Sequence, residues 1–255
     1  WEIMLLVWLP LTIRMVRELI FEPSGNLRVI GVDAFKNVNI NFLNLPDVPY
    51  ASGYSLGNNA FNGCSILDTL TIPEAVSSMG DGVFQNCSSI TGFTWPSTLT
   101  TIPNNTFYSC GLKEINIPLW VNNIGSNSFR DNLSASGTLN IHNFISSIGA
   151  YSFRGNNIKQ LLFNNNAIID IPRQAFKDCL SLSGTVVLNR VAVIGTNAFD
   201  DSPIEFIQWN DIAGPNYLDS QGLSSMPELT GISLPSGLTA IGANSLQACT
   251  KLKRD

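Results

Sequence analysis

The sequence predicts a solenoid of about ten stacked units of roughly 23 residues, each a short β-strand followed by a tight turn. Three observations carry this reading. Phe35, Phe61, Phe84, Phe107, Phe129, Phe153, Phe176 and Phe199 recur at intervals of 22 to 26 residues, and Leu223 and Leu246 take the same slot later. A fixed phrase precedes the anchor, as in Met79-Gly80…Val83-Phe84, Ile124-Gly125…Ser128-Phe129 and Ile148-Gly149…Ser152-Phe153. An alternating apolar and polar stretch opens each unit, as in Leu70-Thr71-Ile72-Pro73, which is the pattern of a strand with one buried face.

Such units must stack. Each offers about six apolar side chains, worth roughly 1.5–3 kcal/mol apiece when fully buried. Ordering the backbone costs about 1–2 kcal/mol per residue, so a lone unit loses. Stacking adds strand hydrogen bonds and buries Phe on Phe, with strands ~4.8 Å apart.

Residues 1–24 stand outside the period and read as an N-terminal cap with a half repeat, covering the apolar end of the stack. Within them the run Ile3 to Leu9 ends at Pro10 and is too short to span a bilayer. Leu19 and Phe21 lead to Pro23 as Leu70 and Ile72 lead to Pro73. Residues 25–255 read as the array, its last repeat incomplete, with Lys251 to Asp255 either a charged end or the start of a further unit.

In the type unit, Pro73 closes the strand because it cannot donate to a ladder. Val76 and Met79 point inward, Val83 and Phe84 fill the interior, and Cys87 closes the turn. The slot before the turn holds Gly31, Gly57, Gly80, Gly125, Gly149, Gly195 and Gly242, but Pro103, Pro172 and Asp219 in other copies. Proline fixes φ near −65°, so the slot does not demand positive φ. Pro, Gly and Asp suit the first positions of a helical turn. Asn105 to Tyr108 and their equivalents are therefore expected to form a single α or 3-10 turn. Two insertions lie between strand and turn: Pro46 to Leu56, with Tyr50 and Tyr54, and Trp209 to Leu218, with Gly214-Pro215.

Charged residues make up 13% of the chain, and the net charge is −5. That argues against a nucleic-acid groove, which needs a basic face, and gives no polybasic patch for a membrane. No direct membrane insertion is expected. Polarity comes from Asn, Ser and Thr.

The phrase Leu67-Asp68-Thr69-Leu70-Thr71-Ile72-Pro73, then Val76-Ser77-Ser78-Met79-Gly80, then Val83-Phe84-Gln85-Asn86-Cys87 resembles the BspA-like, or treponemal-type, leucine-rich repeat. The likeness runs from Leu27 to Leu252. It departs from the pattern where Pro is missing after a strand and where Leu223 and Leu246 replace Phe. The resemblance implies a leucine-rich-repeat solenoid, a right-handed coil with a parallel sheet along one side. It implies recognition of a protein or glycan partner, an extracellular or cell-surface location, and a role as adhesin or receptor-binding protein. It brings no catalytic residues and no cofactor.

Side chains that could carry chemistry have plainer readings. Cys64, Cys87, Cys110, Cys179 and Cys249 all fall three residues after the anchor. None has zinc-knuckle spacing. Stacked neighbours would present parallel Cβ vectors, a poor geometry for a disulfide. They read as small buried side chains closing a turn. His142, the only histidine, has no nucleophile motif near it and reads as a surface residue. Asp178, Asp200 and Asp201 read as solvated turn residues. Asn86-Cys87-Ser88, Asn104-Asn105-Thr106 and Asn132-Leu133-Ser134 match the glycosylation triplet, which matters only in a eukaryotic secretory setting.

The best functional lead is the outward face of the strands. Alternation places Asn44, Thr71, Thr94, Asn116, Asn140, Leu162, Val187, Gln208 and Ser233 there, with Gln160, Thr185 and Phe206 alongside. Leu162, Val187 and Phe206 interrupt a polar ladder in adjacent repeats, and exposed apolar clusters mark contact sites. Strand propensity alone also accounts for them. Leu162, Val187, Phe206, Gln208, Gln160 and Asn140 are the candidate ligand-binding residues of a non-enzymatic module. A structural spacer within a larger protein is the competing expectation.

Overall fold

The computed structural model describes residues 18–21, 27–47, 53–212 and 216–252. Most of the expected N-terminal cap, with Tyr50, Gly214, Pro215 and the last three residues, lies outside them. The chain coils as a parallel β-solenoid, with no helix among the described residues.

Most full coils carry two strand positions rather than one, but Ile115-Asn116-Ile117, expected as a strand by its alternation, is not one. The first ladder contains the expected strands, such as Thr138–Ile141, Gln160–Phe163, Gly184–Leu188, Ile204–Trp209 and Gly231–Ser233. All of its pairings are parallel, with Leu139 opposite Leu161 and Ile207 opposite Ile232. Alternation sets the faces: Leu139, Ile141, Leu161, Phe163, Val186, Leu188, Ile207 and Trp209 are buried.

The second ladder was not expected. It includes Tyr54–Leu56, Val76–Met79, Thr101–Ile102, Asn123–Ile124, Ser147–Ile148, Ile169–Ile171, Val191–Ile194, Asn216–Leu218 and Leu238–Ile241. Val76 and Met79 are three apart, so a regular strand would turn them to opposite faces. A register shift resolves this: Tyr54 pairs with Val76, but Ser55 pairs with Ser78. The extra residue is a bulge, which re-aims the side chains after it. The same shift recurs at Ile169/Asp170 and Asn216/Tyr217. Tyr54, expected on an insertion loop, is buried and fills the slot of Val76.

The interior is a column of phenylalanines. From Phe35 to Phe199 successive rings lie 5.4 to 6.1 Å apart and within 17° of parallel. Phe93, from the first ladder, packs against Phe107 at 4.3 Å.

The turn is not helical. N–H groups of Asn59, Phe61 and Gly63 donate to carbonyls of Asp81, Val83 and Gln85 in the next coil. Those of Ala60, Asn62 and Cys64 donate three residues back within their own coil. A helix would send every N–H along its own axis and leave the next coil without donors. Two left-handed residues per turn produce the alternation: Asn59 (φ 56°) and Gly63 (φ 78°), or Asn105 (56°) and Ser109 (55°). Asn and Gly tolerate this region best. The Gly slot itself has no positive φ, as expected. Its glycine answers to space instead: a Cβ on Gly149 would lie 2.3 Å from Ser126 N.

Candidate binding faces

On the outward side of the first ladder, register places Gln160 beside Thr138 and Leu162 beside Asn140. In the following pair Phe206 lies beside Thr185 and Gln208 beside Val187. Gln160–Phe163 packs next to Gly184–Leu188, although no strand pairing joins them and the two pairs belong to separate sheets. All six candidate residues lie on this side of the first ladder. Leu162 is 46% exposed, Phe206 is 36% exposed and Val187 is half-buried. Leu162 continues the row of Asn140, and Phe206 that of Thr185. Its ring leans over Gly231, where a Cβ would meet Cε2 at 2.8 Å. Neutral amides frame the patch. Asn164 Nδ2 donates to Asn140 Oδ1 (2.9 Å), and Asn210 Nδ2 donates to Asn189 Oδ1 (2.7 Å). Gln208 Nε2 donates to Asn210 Oδ1 (3.0 Å).

A second exposed apolar group escaped the sequence reading. It sits where the first ladder bends into the second. Leu119, Trp120, Phe144 and Ile168 are all exposed there, Trp120 by 43% and Phe144 by 55%. The signal was available in the buried column Val76, Leu99, Val121, Ile145, Ile169 and Val191. The residues just before these are Ala75, Thr98, Trp120, Phe144, Ile168 and Arg190, so three consecutive coils carry a large apolar side chain at one slot.

His142 is buried, not on the surface, at 3% exposure. Its Nε2 bonds the Pro118 carbonyl (3.0 Å), and its Nδ1 accepts from the Phe144 N–H (3.3 Å). Burial holds its pKa below the ordinary histidine range, and the Pro118 bond partly offsets that. With both ring nitrogens engaged by backbone, it is placed to hold a loop rather than to move protons.

The cysteine slot is a donor position. Cys87 Sγ donates to the Phe61 carbonyl (3.2 Å) and Cys110 Sγ to that of Phe84 (3.1 Å). Asn132 Nδ2 and Ser202 Oγ serve Phe107 and Phe176 in the same way. Burial raises the thiols, Cys64 to about 11 and Cys179 to about 12, which suppresses the reactive thiolate. Asp200 is also not solvated. It is buried against Lys177 Nζ (2.8 Å) and Ser224 Oγ (2.7 Å). Asn132, in one glycosylation triplet, is fully buried, whereas Asn86 and Asn104 are exposed.

Among the described residues no group of three or more His, Cys, Asp or Glu could hold a metal ion. A depression of about 420 Å³ beside the second ladder is lined by Ser77, Asp81, Thr98, Thr101, Pro103 and Asn104. Its carboxylate, Asp81, already accepts from Asn104 N and Nδ2 (both 3.1 Å), which leaves no paired acid and base there. No helix among the described residues is long and apolar enough to cross a membrane.

The fold and faces define a leucine-rich-repeat solenoid. The model for the BspA type leucine rich repeat region matches six copies, over residues 17–136 and 169–254, and the chain belongs to that family. Among solved structures it is similar to a leucine-rich repeat protein from Bacteroides ovatus, at 22% identity and a TM-score of 0.59. That match covers 93% of this chain and 77% of that one. It is also similar to the pneumococcal vaccine antigen PcpA, at 15% identity and a TM-score of 0.49, covering 88% of this chain and 72% of that one. No curated protein matches it in sequence. The family and the solenoid support a repeat protein for binding, of a kind typically without enzymatic activity.

Proposed function

We propose that this chain is a non-enzymatic recognition module that docks a protein or glycan partner on the outward face of the first ladder, at a cell surface or outside the cell, as an adhesin or receptor-binding protein. The observation that supports this most is the exposure of Leu162, Val187 and Phe206 on neighbouring strands, in a face of mostly neutral side chains. Family membership supports the surface location. Parallel strands fix the spacing of these side chains before any partner arrives, which lowers the ordering cost of binding.

The test is the triple variant Leu162→Asp, Val187→Asp, Phe206→Asp, probed by whole-cell adhesion and by binding to immobilised host-surface extracts. Adhesion should fall by about 100-fold or more, since three charges would be desolvated at the contact. Unchanged adhesion with an unchanged melting temperature removes this face as the docking site.

A further inference from the structure

We propose that Trp120, Phe144 and Ile168, with Leu119, form a second and separate site that takes a short, neutral oligosaccharide in extended form. The stripe runs along the solenoid axis over three coils, roughly 10 Å at strand spacing. It ends where Thr98 and Arg190 occupy the same slot in the flanking coils.

Electrostatics chooses an uncharged ligand. Residues 118–126 and 142–150, which carry both rings, contain no Asp, Glu, Lys or Arg, and charge borders the stripe only at its Ile168 end, at Asp170 and Arg190. Trp120 Nε1 donates to the Pro96 carbonyl (2.9 Å), so the indole is fixed and its one polar group is satisfied by the protein. What remains for a ligand is aromatic carbon. The Phe144 ring is set against His142 at 6.2 Å, and the Phe144 N–H is tied to His142 Nδ1. Beside the rings lies a hydroxyl and amide row: Ser146 and Ser147 Oγ both donate to Asn123 Oδ1, and Asn123 Nδ2 donates to Asn122 Oδ1. Aromatic carbon flanked by fixed neutral hydrogen-bonding groups matches a pyranose, which has an apolar C–H face and a hydroxyl rim.

Backbone pairing and charge argue against two other occupants. A peptide adding as a strand needs a free edge, but Asn123–Ile124 pairs with Thr101–Ile102 on one side and Ser147–Ile148 on the other. A lipid surface would call for a cluster of cations, and the stripe is bordered by a single one, Arg190.

The experiment is affinity electrophoresis of the full chain in gels containing dextran, mannan, hydroxyethyl cellulose or a soluble β-glucan. Retardation is expected with at least one, and it should persist at high salt. Trp120→Thr and Phe144→Thr place in the stripe the residue that the fold already carries at Thr98. Together they should weaken binding by about tenfold or more, with the melting temperature retained. The first-ladder triple Asp variant should be retarded like the wild type. The proposal is overturned by no retardation in any of the four gels, by retardation that the double Thr variant or added salt leaves equal or abolishes respectively, or by loss of retardation in the triple Asp variant, which would assign glycan binding to the first ladder instead.

Discussion

At the scale of single residues, the recurring identities mark hydrogen-bonding duties between coils. Cys, Asn and Ser interchange three residues after the anchor because each offers a small donor to the preceding Phe carbonyl. Nothing in one repeat reveals that duty, since the acceptor lies 25 to 29 residues back. His142 shows the same dependence, and it can be tested by pH. Its folded pKa lies below the ordinary value, so as pH falls the unfolded chain takes up the proton first. Stability contributed by neutral His142 is therefore present above the ordinary histidine pKa. It is lost as pH falls below that value toward the folded one. Urea midpoints should drop between about pH 7.5 and about pH 5.5 in the wild type. His142→Asn, which copies Asn164 in the next coil, should flatten that window, because the chain has no other histidine. An equal slope in the variant would show that His142 is not the titrating group.

At the scale of the element, the turn trades half of its local hydrogen bonds for bonds along the stack. That trade explains why an expected helical turn became two left-handed corners. The asparagines two residues after the Gly slot, such as Asn59, Asn105, Asn127 and Asn197, carried the signal. The slot residues themselves carry another constraint. Pro103, Pro172 and Asp219 are each flanked by glycine in the coils before and after, so no two consecutive coils place a side chain there. Gly149→Ala breaks that rule against Pro172 and drives a Cβ to within 2.5 Å of the Gly125 carbonyl carbon as well as toward Ser126 N. The loss should be about 2 kcal/mol or more by denaturant titration, since backbone cannot rotate away as a side chain can. A neutral effect would mean that coil spacing adjusts more freely than the phenylalanine column suggests.

At the scale of the whole molecule, the stack has no single core; its stability is a sum over neighbouring coils. Phe153 sits mid-column, 5.6 Å from Phe129 and 5.4 Å from Phe176, and is fully buried. Phe153→Ala should cost about 3–5 kcal/mol, as for other buried Phe truncations. Phe153→Leu should cost much less, because Leu223 fills this slot while fully buried. Calorimetry of the Ala variant should resolve two transitions, one for each side of the weakened junction, where a single sharp one would indicate a globally cooperative body. Both exposed faces depend on this continuity, since each apolar group is assembled from two or three coils that hold one another in register.

The sequence by itself determined the period, the phenylalanine column, the inward residues of the first ladder and the polar character of its outward face. Those features rest on side-chain repetition and strand alternation, which are local and one-dimensional. Only the tertiary structure decided the second ladder with its bulges, the left-handed corners, the burial of His142 and Asp200, and the gathering of Trp120, Phe144 and Ile168 into one stripe. Each of these depends on a partner about one coil away, and the identity of that partner follows from how the coils stack.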